Sequence, residues 1–357
     1  MPTSDSIGQF FMVGIPGSIL TTEIRARLLD LRPGGVILFR RNYVDLKQLT
    51  ALCQELHALL PAQPPLIALD HEGGRVHRLT SPFTHFPPAA IIGRTRSAEF
   101  ARRVGHAMGA ELSSVGVDSD FAPVLDVLTN VNNTVIGDRA FASDPRTVGL
   151  FGCALARGLR AGGVIPCGKH FPGHGATHVD SHEDLPRDER TLEELLQTDV
   201  EPFRLAIADK IEMLMTAHIL YPSIDSEYPA TLSQKVIDGL LRQQLGYRGV
   251  VVTDDLEMGA IIRHFSVEHA AVQALRAGAD LLLICHQIDL ALAAREACVQ
   301  ALETGTLSRA RVEEALQRVA TLKQTHARQQ RAGREVVGAI AHQQLAEAII
   351  RAAAEQA

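Results

Sequence analysis

One segment of the sequence concentrates side chains that could bind a metal ion or move a proton. It runs over residues 168–186, GKHFPGHGATHVDSHEDLP, and its histidines follow one another at intervals of four: His170, His174, His178 and His182. The spacing matches one face of a helix, but Pro172 and the glycines on either side of His174 would interrupt a helix there. The segment is therefore a loop, and its chemistry is either metal binding or acid–base catalysis.

Metal binding is the weaker interpretation of this loop. Imidazole and carboxylate groups are common zinc ligands, and Asp180 stands among the histidines. However, the sequence lacks an H-x-H pair on a predicted strand, which would fix two metal ligands rigidly. A loop rich in glycine and proline would not hold four ligands in place. Lys169 would also repel a cation. We therefore predict no metal ion and no other cofactor.

Acid–base catalysis is the interpretation that the spacing favours. Asp180 and His182 are two residues apart, so in extended backbone their side chains share one side and can touch. A carboxylate on one ring nitrogen fixes the tautomer and tunes the basicity of the other nitrogen, which then titrates near neutral pH. Lys169 and His170, earlier in the segment, could donate hydrogen bonds to a hydroxyl-rich substrate. The segment thus divides into a binding part and a proton-transfer part.

Further candidate catalytic residues stand where short apolar runs of the sequence end. These ends carry acidic residues, lysine or histidine: Asp70, Asp126, Lys169 with His170, His218, Asp254 with Asp255, and His286. One carboxylate in such a place is more often a turn or helix-cap residue, but that does not explain so many. The sequence therefore indicates an enzyme. The run VVTDD offers a carboxylate nucleophile, and Asp254 and Asp255 remain rivals for that role.

The apolar runs alternate with longer, amphipathic segments along the chain. The runs cover residues 9–16, 34–39, 65–70, 119–126, 163–170, 212–219, 248–255 and 279–286, and helix-like segments cover 21–31, 99–116, 147–163 and 267–278. Eight strands, each followed by helical sequence, predict a single (β/α)8 TIM barrel, in which the carboxyl ends of the strands form the active site. A doubly wound sheet is the competing fold, but no G-x-G-x-x-G follows the first run.

The remainder of the chain predicts extra helices at the C-terminus. Residues 308–357 are rich in Ala, Arg and Gln and helical in character. We expect a catalytic barrel domain over residues 1–335 and a helical extension over 336–357 that packs on the barrel.

Composition and charge exclude several classes of protein. The 357 residues are 46% hydrophobic and 21% charged, with a net charge of −6 and no tryptophan. These values are ordinary for a globular protein, and the negative net charge gives no indication of nucleic-acid binding. The five cysteines have no paired spacing, no signal peptide is apparent, and no apolar run reaches the ~20 residues of a membrane span. We predict a cytoplasmic monomer that acts on a small molecule, without nucleic-acid or membrane partners.

Several motifs and their order give the sequence a family resemblance. KHFPGHG is followed by DSH and LP, with LDHEGGRVHR upstream, RAFASDP between them and VVTDDLEMGAI downstream. Together they resemble the glycoside hydrolase family 3 β-N-acetylglucosaminidases of the bacterial NagZ type, from about residue 7 to residue 300. Family 3 β-glucosidases generally lack KHFPGHG with DSH, and they usually carry a second domain. Ala142, Ser143 and Ala176 depart from the usual pattern but stand at no position with an assigned role.

The resemblance implies a role for individual residues. Asp254 matches the nucleophile, and His182 matches the general acid/base with Asp180 as its partner. The sugar-binding positions match Asp70, Arg78, Arg139, Lys169 and His170. Arg75 and His218 stand near the site by motif, with a purely structural role as the alternative.

The resemblance also implies the reaction and the substrate. It implies retaining exo-hydrolysis of a terminal β-1,4-linked GlcNAc from (anhydro)muropeptides during peptidoglycan recycling, through a covalent glycosyl-enzyme. A loop rich in glycine and proline suggests movement of residues 172–186 between a withdrawn and a catalytic position.

Three other functions remain open at this stage. A family 3 β-glucosidase would differ in sugar preference. Because imidazole does not repel an anionic acceptor, a GlcNAc phosphorylase is the second alternative. A sugar-binding protein without catalysis is the third, and the presence of Asp254, Asp180 and His182 argues against it.

Overall fold

Eight parallel strands close into a barrel in the computed structural model, which describes residues 4–177, 181, 184–327 and 331–356. The strands are β1 (Phe11–Gly14), β2 (Gly35–Leu38), β3 (Leu66–Leu69), β4 (His71–Gly73), β5 (Val76–His77), β6 (Ser119–Asp120), β7 (Ile165–Phe171), β8 (Met213–Thr216), β9 (Val250–Asp255) and β10 (Leu281–Ile284). The barrel order is β1-β10-β9-β8-β7-β6-β3-β2, and β4 and β5 form a separate antiparallel hairpin. Each predicted apolar run contains one barrel strand, so the predicted barrel is confirmed.

Helical sequence follows every barrel strand, as the barrel requires. The α-helices are α1 (Ser4–Ile7), α2 (Thr22–Leu31), α3 (Leu46–Leu59), α4 (Ala89–Arg94), α5 (Ala98–Ser114), α6 (Pro145–Ala161), α7 (Leu192–Gln197), α8 (Val200–Ala208), α9 (Gly259–Ile262), α10 (Val267–Ala277), α11 (Ile288–Glu303), α12 (Arg309–His326) and α13 (Ile340–Ala354). A π-helix, Lys235–Gln244, follows β8, and short 3₁₀ turns cover Gly8–Phe10, Arg40–Asn42, Gly137–Arg139, Ala230–Leu232 and Arg334–Val336. None of the helices in the described ranges is both long and apolar enough to cross a membrane.

Most barrel strands are apolar over most of their length because both of their faces are buried. One face fills the inside of the barrel with side chains such as Met12, Phe121 and Met213, and the other packs against the helices. All five cysteines are buried and free. This two-layer burial explains why the sequence shows runs of apolar residues rather than alternation.

The amino ends of the strands are closed by α12. Asp280, just before β10, is fully buried and binds Arg242 at 2.6 Å, Arg311 at 2.6 Å and Arg318 at 3.3 Å. Its Oδ2 also accepts the backbone N–H of Val251 at 2.9 Å. Because two of these arginines belong to α12, the single carboxylate ties α12 to β9 and β10.

The last helix packs on the outside of the barrel. His342 of α13 lies 2.7 Å from the buried carboxylate of Glu111 in α5, and Leu345 and Ile349 are buried. The predicted C-terminal helices are thus confirmed, while the domain boundary at residue 335 stays a prediction.

Replacing Asp280 tests the importance of this closure. Asp280→Ala leaves the buried guanidinium of Arg242 without its counter-charge, so we expect the free energy of unfolding to fall by about 3 to 5 kcal/mol. Urea unfolding followed by circular dichroism measures the change. Glu99→Ala, which removes an exposed ion pair with Arg102, is the control and should change little. Equal effects of both substitutions would contradict the role given to Asp280.

Candidate active site

A cavity opens at the carboxyl ends of the strands, and it has two parts. Four residues line both parts: Asp70, Arg78, Met215 and Asp254. The inner lobe has a volume of about 170 Å³, and its further lining includes Glu72, Arg139, Lys169, His170, His174 and Ser181. The outer lobe has a volume of about 400 Å³, and its further lining includes Phe39, Asp255, Glu257, Ile262, Arg263 and His286.

Six of the eight site residues predicted from the sequence meet in this cavity. They are Asp70, Arg78, Arg139, Lys169, His170 and Asp254. The other two, Asp180 and His182, lie outside the described residues. The predicted movement of residues 172–186 concerns the same segment, in which residues 178–180 and 182–183 lie outside the described ranges.

The hairpin after β3 brings two side chains to the cavity. Gly73 and Gly74 make its turn with φ values of 88° and 53°, in the left-handed region that glycine tolerates. A Cβ on Gly74 would stand only 2.6 Å from the Cβ of Pro88, so the turn also needs glycine for space. This turn sets Glu72 on one arm of the hairpin and leads to Arg78 just beyond the other.

The inner lobe is built around a buried network of charges. Lys169 is 2% exposed, and its Nζ lies 2.7 Å from Oδ1 of Asp70 and 2.6 Å from Oε1 of Glu72. Arg139 holds the carboxylate of Glu72 with two hydrogen bonds of 2.9 Å each. The network joins β3, the hairpin, β7 and the loop after β6.

The charges in this network stabilise one another. Burial alone would raise the pKa of Glu72, but Arg139 and Lys169 outweigh burial and hold that pKa well below its usual range. Burial would likewise lower the pKa of Lys169, and Asp70 and Glu72 raise it instead. Glu72 and Lys169 therefore remain ionised near neutral pH, and the network presents fixed donors and acceptors to a ligand.

Sequence reasoning missed Glu72. A usable signal was present, because Glu72 lies two residues from Asp70 in the quoted LDHEGGRVHR motif. Two basic residues predicted for one buried site, Arg139 and Lys169, also require a carboxylate to offset their charge.

Asp126 orients the histidine of the binding pair. Its fully buried carboxylate lies 2.7 Å from Nδ1 of His170 and accepts the backbone N–H of His174 at 2.7 Å. Burial would raise the pKa of Asp126, but His170 outweighs it and lowers that pKa. An ionised Asp126 accepts the Nδ1 proton of His170, which leaves Nε2 as the second ring nitrogen for a ligand. Asp126 was recognised from the sequence as the end of an apolar run, but without this role.

His174 is occupied by local hydrogen bonds. Its Nδ1 lies 2.9 Å from Oγ1 of Thr177, and its Nε2 lies 3.1 Å from Oγ of Ser181. Burial, with a smaller contribution from His170, lowers its pKa to about 4, so the ring is neutral near pH 7. These contacts fit a structural role for His174.

The two carboxylates at the end of β9 differ in their surroundings. Asp254 is half-buried and lines both lobes. Oδ1 of Asp255 accepts the backbone N–H groups of Glu257 at 3.1 Å and Cys285 at 3.2 Å, and burial raises the pKa of Asp255 to about 7. Asp255 thus braces the backbone, whereas Asp254 reaches the part of the cavity where the lobes meet.

Arg75 and His218 contact the framework of the site. Arg75 binds Asp138 at 3.1 Å and the carbonyl oxygen of Val135 at 2.7 Å, which secures the loop that carries Arg139. His218 is buried, with Nε2 2.9 Å from the carbonyl oxygen of Asp255. Both contacts fit the structural alternative.

Comparisons with known proteins agree with one another. The family model for the glycosyl hydrolase family 3 N-terminal domain matches residues 3–322. A β-hexosaminidase from Thiobacillus denitrificans is 44% identical over 286 residues, which are 78% of this chain and 79% of that protein.

Solved structures resemble the whole barrel. The family 3 β-N-acetylglucosaminidase from Paenibacillus sp. FPU-7 superposes with a TM-score of 0.94 at 37% identity, over 99% of this chain and 69% of that one. NagZ from Neisseria gonorrhoeae, in complex with N-trifluoroacetyl-D-glucosamine, gives a TM-score of 0.82 at 34% identity, over 96% and 98% of the two chains.

Proposed function

Because this chain belongs to glycosyl hydrolase family 3 and is a β-N-acetylhexosaminidase, we propose that it releases terminal β-linked GlcNAc by a retaining mechanism with Asp254 as nucleophile. The family resemblance and the enzyme class predicted from the motifs are confirmed. The observation that carries the mechanistic proposal is the position of Asp254, which is shared by both lobes and stands beside the buried charges of the inner lobe.

The inner lobe suits the terminal sugar. Lys169, Arg139 and Arg78 offer donors, and Asp70 offers acceptors, in a fixed arrangement that can hydrogen-bond to the hydroxyl groups of one sugar ring. Nε2 of His170 supplies one more group. The inner lobe, at about 170 Å³, is the smaller of the two parts, which supports its assignment to a single terminal ring.

The proposed reaction has two steps. First, a carboxylate oxygen of Asp254 attacks the anomeric carbon while the glycosidic C–O bond breaks and His182 protonates the leaving oxygen. Then His182 takes a proton from water, the water oxygen attacks the same carbon, and the ester bond to Asp254 breaks. Two inversions return the sugar with its original β configuration. Asp180 holds the imidazole in the tautomer that this proton transfer needs.

We propose a peptidoglycan fragment as the substrate, GlcNAc-β-1,4-(1,6-anhydro)MurNAc with or without its stem peptide. The NagZ-type motifs and the similarity to a NagZ that binds an N-acylated glucosamine support this proposal. Incubation with purified muropeptides should release GlcNAc and the matching MurNAc product, as detected by mass spectrometry. Cleavage of aryl GlcNAc glycosides without cleavage of muropeptides would contradict the assignment.

Substitution of the two neighbouring carboxylates distinguishes the nucleophile from its neighbour. Asp254→Asn should lower kcat on an aryl β-GlcNAc glycoside by about a thousandfold or more, because no nucleophile remains. With a pKa of about 7, Asp255 is mostly protonated at pH 6, and asparagine resembles that neutral form. Asp255→Asn at pH 6 should therefore lose far less activity. The reverse order of the two losses would assign the nucleophile to Asp255.

Leaving groups of different acidity test His182 as the acid. His182→Ala should lower the rate about a hundredfold or more on a poor leaving group, which needs a proton in the first step. The loss should be much smaller for glycosyl-enzyme formation with a strongly acidic phenol as leaving group. Pre-steady-state release of the phenol measures this step. An equal loss on both substrates would argue against proton donation by His182.

A further inference from the structure

The outer lobe is the side of the cavity that reaches solvent. Ile262, Arg263 and His286 on its wall are exposed, whereas Lys169 and His170 on the inner lobe are buried. Since the inner lobe takes the terminal sugar in the proposed function, the outer lobe lies on the side of the departing group.

Two polar atoms of this cavity have no hydrogen-bond partner among the residues that the structure describes. They are Nε of Arg78 and Oε1 of Glu257, and both atoms are buried. Burying a donor or an acceptor without a partner is unfavourable, and native proteins rarely do so without a functional reason. One donor and one acceptor in the same cavity match the hydrogen-bonding capacity of a hydroxyl-rich ligand.

The carboxylate of Glu257 is held in place by its other oxygen. Oε2 accepts the backbone N–H of His286 at 2.6 Å and of Gln287 at 3.3 Å, and the backbone N–H of Glu257 donates to Asp255. These contacts fix the side chain between β9 and the end of β10. Oε1 is therefore a preorganised acceptor, three residues after the proposed nucleophile.

Two aromatic side chains accompany this acceptor in the outer lobe, and the guanidinium of Arg41 lies 4.4 Å from the ring centre of Phe39, which leaves His286 as the more open ring. The rings of Phe39 and His286 stack at 5.8 Å with an interplanar angle of 26°, and both residues line the lobe. Aromatic rings beside a carboxylate can receive the apolar face of a sugar ring while the carboxylate accepts its hydroxyl groups.

We propose that Glu257 binds a hydroxyl group of the sugar on the leaving-group side, and that it selects glycosidic substrates with a second sugar over those with an apolar leaving group. This inference rests on the proposed function, which places the terminal sugar in the inner lobe. The ligand class is a hexopyranose or hexosamine unit linked through its oxygen to the terminal GlcNAc.

The test compares two substrates in one variant. Glu257→Gln keeps an oxygen that can accept from the backbone of His286 but puts an NH₂ donor in place of the charged acceptor. We expect kcat/KM to fall about tenfold more on GlcNAc-β-1,4-GlcNAc than on an aryl β-GlcNAc glycoside, mainly through KM, because a charged hydrogen bond is lost only with the disaccharide. Glu257→Ala, which removes both oxygens, should show the same preference.

An exposed glutamate that does not line the cavity provides the control. Glu303 is exposed at the end of α11, and Glu303→Gln should leave both rates unchanged. An equal loss on both substrates, with a lowered melting temperature, would show that Glu257 only braces the loop after β10 and would overturn the proposal, as would no loss on the disaccharide. Wild-type protein that cleaves neither substrate would instead refute the proposed function.

Discussion

The candidate site depends on one buried carboxylate, that of Glu72, held between Lys169 and Arg139. Each of these charges would be costly to bury alone, and each is tolerated because the others are within hydrogen-bonding distance. The consequence is positional. The donors proposed to bind the sugar come from β7 and from the loop after β6, and Glu72 fixes both to the hairpin after β3. A substrate therefore meets donors that are already oriented, so less entropy is lost when it binds.

The barrel separates this network from the part of the molecule that secures the fold. Asp280 and its three arginines close the amino ends of the strands, while the charges that face the cavity lie at the carboxyl ends. Asp280 at one end and Glu72 and Lys169 at the other follow the same rule, since each has at least one opposite charge within hydrogen-bonding distance. At the carboxyl ends, Nε of Arg78 and Oε1 of Glu257 have no hydrogen-bond partner among the described residues, so a ligand can bond to them.

Much of the architecture could be predicted from the sequence because burial on both faces leaves a plain signal. Each barrel strand lies inside an apolar run to within one residue, and Asp70, Lys169 and Asp254 were found because they stand at or near the ends of such runs. The network itself was harder to predict, because Lys169 and Asp70 are 99 positions apart and the contact between them is set by closure of the barrel.

Two further details of the site depend on three-dimensional contacts that the sequence does not show. Asp254 and Asp255 are equivalent by sequence, and they are separated by the backbone donors around Asp255 and by the position of Asp254 in both lobes. Glu257 looks like an ordinary residue of a short turn until its two oxygens are seen in different surroundings. Asp180 and His182, by contrast, rest on the motif and on their spacing, since they lie outside the described residues.

The proposed retaining mechanism requires a covalent bond between Asp254 and the sugar, and trapping that intermediate shows whether the bond forms. A fluorinated GlcNAc donor with an activated leaving group should form the glycosyl-enzyme faster than water removes it. Proteolysis and tandem mass spectrometry of the trapped protein should then locate one sugar on Asp254. A sugar on Asp255, or turnover of the donor with no adduct and release of the α anomer, would contradict the account.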